Sequence, residues 1–236
     1  MDKHPPPELN QILRRLPQAE RERLYPHLHL VSLPTGTVIY ESDVRVRHIY
    51  FPTDCVVSLL FVLKNGSTAE IAIVGNEGAV GVSLFMGGES TPSRAVVQSA
   101  GHAYRLTGTR LQREFERHGQ LLHVLLRYMQ SLITQMAQTA ICNRHHAVDQ
   151  QLCRWLLLTL DRLKSNELKI TQEFIASMLG VRREGVTEAA GRLQKLGVIR
   201  YVRGRITVLD RPQLEKLSCE CYAAVKAETD RLLGSN

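Results

Sequence analysis

The most informative stretch of the sequence is Ile170 to Leu209, which reads ITQEFIASMLGVRREGVTEAAGRLQKLGVIRYVRGRITVL. Thr171 is a good N-cap, and the apolar residues behind it recur at helical spacing. Gly180 follows where a helix must stop and reverse, because glycine adopts a positive φ without strain. A second helical stripe begins after this glycine, so the stretch predicts a helix-turn-helix. The residues predicted to face inward are Ile175, Met178 and Leu179 in the first helix, and Val186, Ala189, Ala190 and Leu193 in the second.

The outward face of the second helix is polar, and in this motif its N-terminal end enters the major groove of DNA. Further along, Leu196–Val202 predict a turn and a strand, and Ile206–Leu209 predict a second strand. The basic turn Arg203-Gly204-Arg205 joins the two strands. We interpret the pair as a wing that carries arginines towards phosphates. The predicted DNA-binding residues are Thr171, Gln172, Arg182, Arg183, Glu184, Thr187, Glu188, Arg203 and Arg205.

The distribution of charge supports this assignment. The chain has 236 residues and a formal net charge of +7, which suggests a polyanionic partner, either nucleic acid or an anionic membrane surface. Between Leu168 and Arg205 there are eight Lys or Arg against three Glu, a local net charge of +5. Charge that concentrates on one motif favours a phosphate-binding surface over a merely solvated basic face.

Several other classes of protein are disfavoured. No apolar run approaches the roughly 20 residues that span a bilayer, and Met1–Pro7 lacks the apolar core of a signal peptide. We therefore expect a cytoplasmic protein with no membrane partner. The sequence contains no GxxxxGK[ST], GxSxG or HExxH motif, so we do not expect an enzyme and predict no catalytic residues.

A long amphipathic helix is predicted upstream of the helix-turn-helix. Its apolar residues alternate spacings of four and three, the pattern of a coiled-coil contact. A second apolar stripe of Leu121, Leu125, Tyr128 and Leu132 runs beside the first. We expect one stripe to pack on its own chain and the other to form a homodimer; the alternative is that both belong to one core. The predicted dimer seam is Leu122, Leu126, Met129, Ile133, Met136 and Ala140.

The N-terminal half predicts a small β structure. Short helices over residues 8–28 precede at least six β-rich runs between Leu30 and Leu106, and Asn65-Gly66 predicts a tight hairpin between two of them. Many short, evenly spaced strands indicate an antiparallel barrel or roll. The predicted fold class is α+β: a β-roll resembling a jelly roll over residues 1–117, a dimerisation helix over 118–145, and a winged helix-turn-helix over 146–236.

This order of parts resembles the family of the cyclic-AMP receptor protein and the fumarate–nitrate regulator (Crp/Fnr). The resemblance in the DNA-binding half rests on Ile170-Thr171, Ile175, Gly180, Arg183-Glu184, Val186 and Leu193. It implies that Arg183 and Glu184 read bases, which agrees with the pairing of Arg with guanine and of Glu with the cytosine amino group. Glu188 departs from the basic residue that many members carry there. The resemblance also implies promoter DNA, a second copy and RNA polymerase as partners.

The sensor half of the family is matched less well. Gly75–Gly81 and Leu84–Gly88 resemble the stretch leading into the family's phosphate-binding cassette. Members that bind cyclic nucleotides place a Glu just after the glycine, and an Arg-Ser pair further on. This chain has Val82 at the first position and the reversed order Ser93-Arg94 at the second, and a shift of one residue in a strand turns a side chain to the opposite face. The possible effector pocket comprises Gly81, Val82, Ser83, Ser93 and Arg94.

The leading hypothesis is therefore a sequence-specific, homodimeric DNA-binding transcription regulator with a degenerate cyclic-nucleotide-type sensor. The alternative is a regulator that responds to a cyclic nucleotide or a cyclic dinucleotide through a non-standard pocket. A third hypothesis, a cyclic-nucleotide module attached to other machinery, needs the intact cassette.

The cysteines predict neither a disulfide framework nor a cofactor. There are five, scattered along the chain, and none precedes Cys55, which disfavours an iron–sulfur cluster near the N-terminus. Cys219 and Cys221 form a CxC pair with no further ligand close in sequence, and we expect reduced thiols there. The adjacent His145 and His146 point about 100° apart on a helix. We predict no metal site, while a haem ligand among the nine histidines stays an open alternative.

Overall fold

The computed structural model describes residues 4–234 of the chain. Met1–Lys3, part of the stretch that argues against a signal peptide, lie outside the described residues. The chain divides into two compact units. One runs up to Leu59 and includes Ile73–Ile133 and the chain from Thr229 onward; the other comprises Leu60–Ala72 and Thr134–Glu228.

The elements follow the predicted order of short helices, strands, a long helix and a helix-turn-helix. The helices are α1 Gln11–Arg14, α2 Gln18–Leu24, α3 Ser83–Met86, α4 Gly108–Phe115, α5 Gln120–His145, α6 Val148–Leu160, α7 Gln172–Leu179, α8 Arg183–Lys195, α9 Arg211–Leu217 and α10 Glu220–Leu233. The strands are β1 His29–Leu33, β2 Val38–Tyr40, β3 His48–Pro52, β4 Val56–Val62, β5 Thr68–Val74, β6 Ser93–Ser99, β7 Gly101–Thr107, β8 Glu167–Lys169, β9 Ile199–Val202 and β10 Arg205–Val208.

The N-terminal strands form a three-stranded sheet in the order β1-β7-β3 and a four-stranded sheet in the order β2-β6-β4-β5. β7 pairs antiparallel with both neighbours, so that Ile49 of β3 lies opposite Leu106. Ile49, Phe51 and Leu106 are completely buried and form the centre of this core. The predicted α+β fold with an antiparallel β-roll is confirmed, and all six predicted strand regions are present.

The predicted hairpin between β4 and β5 is present, but its turn is longer than a two-residue Asn-Gly loop. The amide of Gly66 donates to the carbonyl of Leu63 over 2.9 Å, and the amide of Leu63 donates to the carbonyl of Ser67 over 2.8 Å. Gly66 has a φ of +83°, whereas Asn65 is not among the residues of positive φ. The chain therefore reverses before the glycine, which then provides the left-handed residue of a longer loop.

α5 is attached to the first unit at its N-terminal end. The carboxylate of Glu20 accepts hydrogen bonds from the amides of Gln120 (2.7 Å) and Leu121 (3.0 Å), and so satisfies amides that no helical carbonyl can reach. Further along, the Tyr128 hydroxyl donates to the carbonyl of Ala79 over 2.9 Å. The stripe of Leu121, Leu125, Tyr128 and Leu132 is buried, as expected for the stripe that packs on its own chain.

The second unit is built around α6, whose residues Gln151–Leu160 are all buried. A three-stranded sheet in the order β8-β10-β9 flanks its helix-turn-helix. Only β9 and β10 were predicted, because the three residues of β8 are too short to show an alternating pattern. Ile206 of β10 lies opposite Leu168 of β8 and Tyr201 of β9.

Among residues 4–234, every helix is either too short or too polar to cross a bilayer.

Candidate nucleic-acid interface

The helix-turn-helix consists of α7, the turn at Gly180, and α8. The Thr171 hydroxyl accepts a hydrogen bond from the amide of Phe174 over 3.2 Å and caps the start of α7. Gly180 ends α7 with a φ of +65°, a conformation that costs a residue with a Cβ more than it costs glycine. The predicted inward-facing residues are all buried, namely Ile175, Met178, Leu179, Val186, Ala189, Ala190 and Leu193.

The opposite face of α8 is exposed to solvent. Its first turns carry the cationic, anionic and hydroxyl groups that can approach base edges. One of these groups is already oriented, since the Thr187 hydroxyl lies 2.8 Å from the Gln172 side-chain oxygen and 3.0 Å from the Arg183 carbonyl. The exposed residues are Arg182, Arg183, Glu184, Thr187 and Glu188.

The wing ends in a tight turn that presents an arginine. Arg203 and Gly204 have φ values of +49° and +74°, and they join the paired residues Val202 and Arg205. Two successive positive φ values define a type I′ turn, which matches the twist of a β-hairpin. Arg203 therefore lies at the exposed tip. Arg205 instead donates a hydrogen bond to the carboxylate of Glu167 on β8 over 2.8 Å.

A groove joins the helix-turn-helix to the wing. It contains Tyr201, which the sequence does not single out because one aromatic residue in a strand carries no specific signal. The Tyr201 hydroxyl donates to the Ile170 carbonyl over 3.0 Å, and burial raises the pKa of this tyrosine. The phenol is therefore neutral at physiological pH and does not repel phosphate. The lining residues are Thr171, Gln172, Glu173, Arg183, Tyr201, Arg203 and Gly204.

An ion pair fixes the far side of α8. The guanidinium of Arg192 donates to both carboxylate oxygens of Asp149 on α6, over 2.6 and 2.5 Å. These hydrogen bonds hold the pKa of the Asp149 carboxyl below its usual range. Arg192 also lies 3.7 Å from Glu188. The two arginines of α8 thus differ: Arg192 joins α8 to α6, whereas Arg183 lies on the open face beside the groove.

The predicted dimer seam of α5 is exposed to solvent, whereas the neighbouring stripe of the same helix is buried. Leu126 is 51% exposed and Ile133 is 57% exposed. Large apolar side chains along one face of a long helix indicate a surface that another molecule covers. All six seam residues, Leu122, Leu126, Met129, Ile133, Met136 and Ala140, are partly or fully exposed in the single chain.

The proposed effector residues lie around α3 and β6. Gly81 has a φ of +102°, and a Cβ there would lie 2.7 Å from the His48 carbonyl oxygen, so the backbone requires glycine. Val82 precedes α3, and Ser83 begins it. Ser93 starts β6 with its side chain buried, and its hydroxyl lies 3.0 Å from that of Thr91.

Arg94, the next residue of β6, pairs with Glu41. Its Nε lies 3.0 Å from the Glu41 carboxylate, and both side chains are partly exposed. The cation is thus engaged with a carboxylate that competes with any anionic ligand.

The fold and this surface together define a DNA-binding protein with an N-terminal β-roll and a C-terminal winged helix-turn-helix. The chain also matches two protein-family models, one for each of these parts. Residues 30–118 match the family model of the cyclic nucleotide-binding domain, and residues 150–217 match that of the Crp-like helix-turn-helix domain. The chain belongs to the Crp/Fnr family and is a DNA-binding transcription regulator. Members of this family regulate transcription and are not enzymes.

Solved structures of regulators share the fold. A transcriptional regulator of the Crp/Fnr family from Eubacterium rectale is 18% identical, with a TM-score of 0.70 over 87% of this chain and 96% of that chain. FixK2 from Bradyrhizobium japonicum is 16% identical, with a TM-score of 0.67 over 81% and 98%.

The c-di-GMP-responsive global regulator CLP from Xanthomonas campestris is also 16% identical, with a TM-score of 0.65 over 82% and 100%. At these identities the likeness concerns the fold. A search of curated protein sequences gives no significant match.

Proposed function

We propose that the protein is a sequence-specific regulator that binds promoter DNA as a homodimer, and that its sensor domain does not respond to cyclic AMP. The observation that carries the proposal is the exposed N-terminal half of α8 beside the arginine at the tip of the wing. A helix presented in this way can enter the major groove while the wing contacts the backbone. Bacterial-type regulation of this kind requires no catalytic group.

Two kinds of contact are assigned to the interface. Arg183, in the first turn of α8, reads guanine through O6 and N7, and Glu184 accepts from the amino group of cytosine. Arg203 contacts phosphate, because a wing tip lies along the backbone and does not reach base edges. The remaining predicted residues, Thr171, Gln172, Arg182, Thr187, Glu188 and Arg205, orient these contacts or add to the phosphate-binding surface.

The homodimer is supported by the seam of α5. Its half-exposed apolar side chains repeat at the spacing of a two-stranded coiled coil, and the buried stripe beside it already contacts its own chain. A two-fold dimer would present two copies of α8 to two half-sites about one helical turn apart. RNA polymerase is the protein partner that we propose beyond the second copy, since a regulator bound at a promoter acts on that enzyme.

The degenerate sensor is supported by Val82, Ser93 and Arg94. Val82 offers no group for a ribose hydroxyl, and the pairing of Arg94 with Glu41 occupies the nearby cation. A response to a cyclic dinucleotide is the second candidate, since CLP is described as responsive to c-di-GMP. Titration of DNA binding with cyclic AMP and, separately, with c-di-GMP distinguishes the two ligands.

The proposed function is tested by selecting bound sequences from random duplex DNA with the full chain. We expect an enriched, two-fold symmetric site. Affinity for this site and for a scrambled duplex is then measured against salt concentration. Arg183→Ala should cost about 1–3 kcal/mol on the selected site and little on the scrambled duplex, because a base contact is lost.

Arg203→Ala should weaken binding to both duplexes and make the slope of log affinity against log salt shallower by about one unit. Arg110→Ala is the matched control, because it removes the same charge from an exposed position of α4 and should leave the salt slope unchanged. Failure to enrich any sequence would contradict sequence-specific binding. Equal losses on both duplexes for Arg183→Ala would show that α8 does not read bases.

A further inference from the structure

Three cysteines and one histidine from distant parts of the chain meet in the second unit. Cys142 lies in the last turn of α5 and His146 directly follows that helix; Cys219 precedes α10 and Cys221 belongs to its first turn. Their ligand atoms, three Sγ atoms and one imidazole nitrogen, all lie within 4.8 Å of one another. We call these four residues the Cys3His cluster.

The distances within the cluster are close to those of a tetrahedral metal site. Zn–S bonds of about 2.3 Å and Zn–N bonds of about 2.0 Å place neighbouring sulfurs about 3.8 Å apart, and sulfur and nitrogen about 3.5 Å apart. The Sγ atoms of Cys142 and Cys219 are 3.5 Å apart, and Cys221 Sγ lies 3.6 Å from His146 Nδ1. The side chains therefore need only small adjustments to surround one ion.

The surroundings of His146 fix the nitrogen that would bind. Its Nε2 lies 3.3 Å from the Glu220 carboxylate, which leaves Nδ1 facing Cys221. A carboxylate on the second ring nitrogen is the usual arrangement around a metal-binding histidine, because it sets the tautomer and the ring orientation. The Gln151 amide adds rigidity, since it donates to the carbonyls of His146 over 2.8 Å and of Cys142 over 3.5 Å.

The charge around the cluster also suits a metal. Three thiolates and one divalent cation carry a net charge of −1, which is costly to bury alone. The guanidinium of Arg154 is only 4% exposed, and it lies within electrostatic range of Cys142 and Cys221. One buried cation therefore balances the excess negative charge of the loaded site.

We propose that the Cys3His cluster binds one Zn²⁺ per chain as a structural site. Three sulfurs and one imidazole are a ligand set typical of closed zinc sites, in which four protein ligands leave no position for a substrate. The ion would join the end of α5 to the junction between α9 and α10, across a separation of 77 residues between Cys142 and Cys219. Closing so long a loop stabilises the folded unit by restricting the unfolded chain.

Thiol packing and a disulfide each account for less of the geometry than a zinc ion does. Simple packing of three thiols would explain their burial but not the orientation of the imidazole towards them. A disulfide between Cys142 and Cys219 would use two sulfurs and leave Cys221 and His146 without a role. Zinc uses all four groups, and each alternative gives a distinct experimental result.

The test begins with the full-length wild-type protein, purified under reducing conditions without a polyhistidine tag or chelator. We expect elemental analysis to find one zinc per chain, and X-ray absorption to show three sulfurs and one nitrogen around it. Replacement by Co²⁺ should give the intense visible bands of a tetrahedral ion and a sulfur-to-cobalt charge-transfer band. These measurements do not depend on the folding of any variant.

Variants then assign the ligands. Cys221→Ser should abolish the cobalt charge-transfer spectrum, or weaken and shift it, while Cys55→Ser should leave it unchanged because this buried cysteine lies outside the cluster. The sharpest comparison is His146→Gln with His145→Gln. The two residues are adjacent, but only His146 belongs to the cluster, so only its replacement should alter the spectrum. EDTA should lower the melting temperature of the wild type and not that of Cys221→Ser.

The proposal fails if the reduced wild-type protein neither contains zinc nor binds added Zn²⁺ or Co²⁺. It also fails if mass spectrometry finds a Cys142–Cys219 disulfide in protein that does not take up metal after reduction. A metal with the same spectrum in His146→Gln and Cys221→Ser would place the ion elsewhere.

Discussion

The dimer seam of α5 allows a quantitative prediction. Replacing Leu126 and Ile133 by alanine in both chains removes four half-exposed apolar side chains from the proposed contact. Full burial of a Leu or Ile side chain is worth about 1.5–3 kcal/mol. Leu126 and Ile133 are 51% and 57% exposed, so the burial that remains available is about half of this, or about 0.8–1.5 kcal/mol for each side chain.

Four such side chains contribute about 3–6 kcal/mol to the dimer. At about 1.4 kcal/mol for each factor of ten, the double variant should weaken dimerisation by about 10²–10⁴-fold. Analytical ultracentrifugation over a range of protein concentrations measures this change. Circular dichroism checks that the chain still folds, as expected, since neither side chain belongs to the monomer core.

Val44→Ala with Met86→Ala is the matched control. These residues are 53% and 61% exposed but lie away from α5, so the same loss of apolar surface should not affect association. An unchanged dimerisation constant in Leu126→Ala with Ile133→Ala would show that α5 is not the interface. An equal loss in the control would show that association is non-specific.

Three further predictions concern ligand, backbone and charge. Saturating cyclic AMP should leave the DNA affinity of the full chain unchanged and give no saturable heat in calorimetry; tight binding would show that the pocket is intact. Gly81→Ala should destabilise the protein by about 1–3 kcal/mol from backbone strain alone. Gly191→Ala in α8 should instead stabilise it by about 0.5–1 kcal/mol, because among residues 4–234 the new Cβ would meet nothing within 4 Å outside its own helix. Urea unfolding measures both changes, and equal effects would contradict the argument. Hydrogen bonds from Arg192 lower the pKa of Asp149, so their contribution to stability is present at neutral pH and is lost as pH falls through that lowered pKa. Asp149→Asn should therefore cost about 0.2–1 kcal/mol near pH 7, and its difference in stability from the wild type should shrink in acid. A difference that grows in acid would refute the assignment.

The candidate interface was predictable because its signals are local. Burial at helical spacing places Val186 and Leu193 inward and Arg183 outward whatever surrounds the helix. Gly180 marks the turn by its backbone freedom alone. The tip of the wing follows in the same way from Arg203-Gly204, since a two-residue hairpin loop needs positive φ values. The roles of residues within one helix or one hairpin can therefore be predicted without knowledge of distant contacts.

Pairings between distant segments were not predictable. The engagement of Arg205 by Glu167 depends on the register between β10 and a strand too short to predict, and the Asp149–Arg192 ion pair depends on how α6 packs against α8. Each pair engages an arginine that, from the sequence alone, would be expected to be available to phosphate. Tyr201 belongs to the groove only because the wing folds back beside α7.

Hydrophobic periodicity and turn chemistry act over a few residues, so the amino-acid pattern alone predicts the order of the parts, the α+β class and the exposed face of α8. The same pattern distinguished the two stripes of α5 and assigned the one that contains Leu126 and Ile133 to the dimer seam. The meeting of Cys142 and His146 with Cys219 and Cys221, by contrast, is visible only in the folded chain. Helix packing brings together residues 77 positions apart, and spacing along the chain does not predict such a contact.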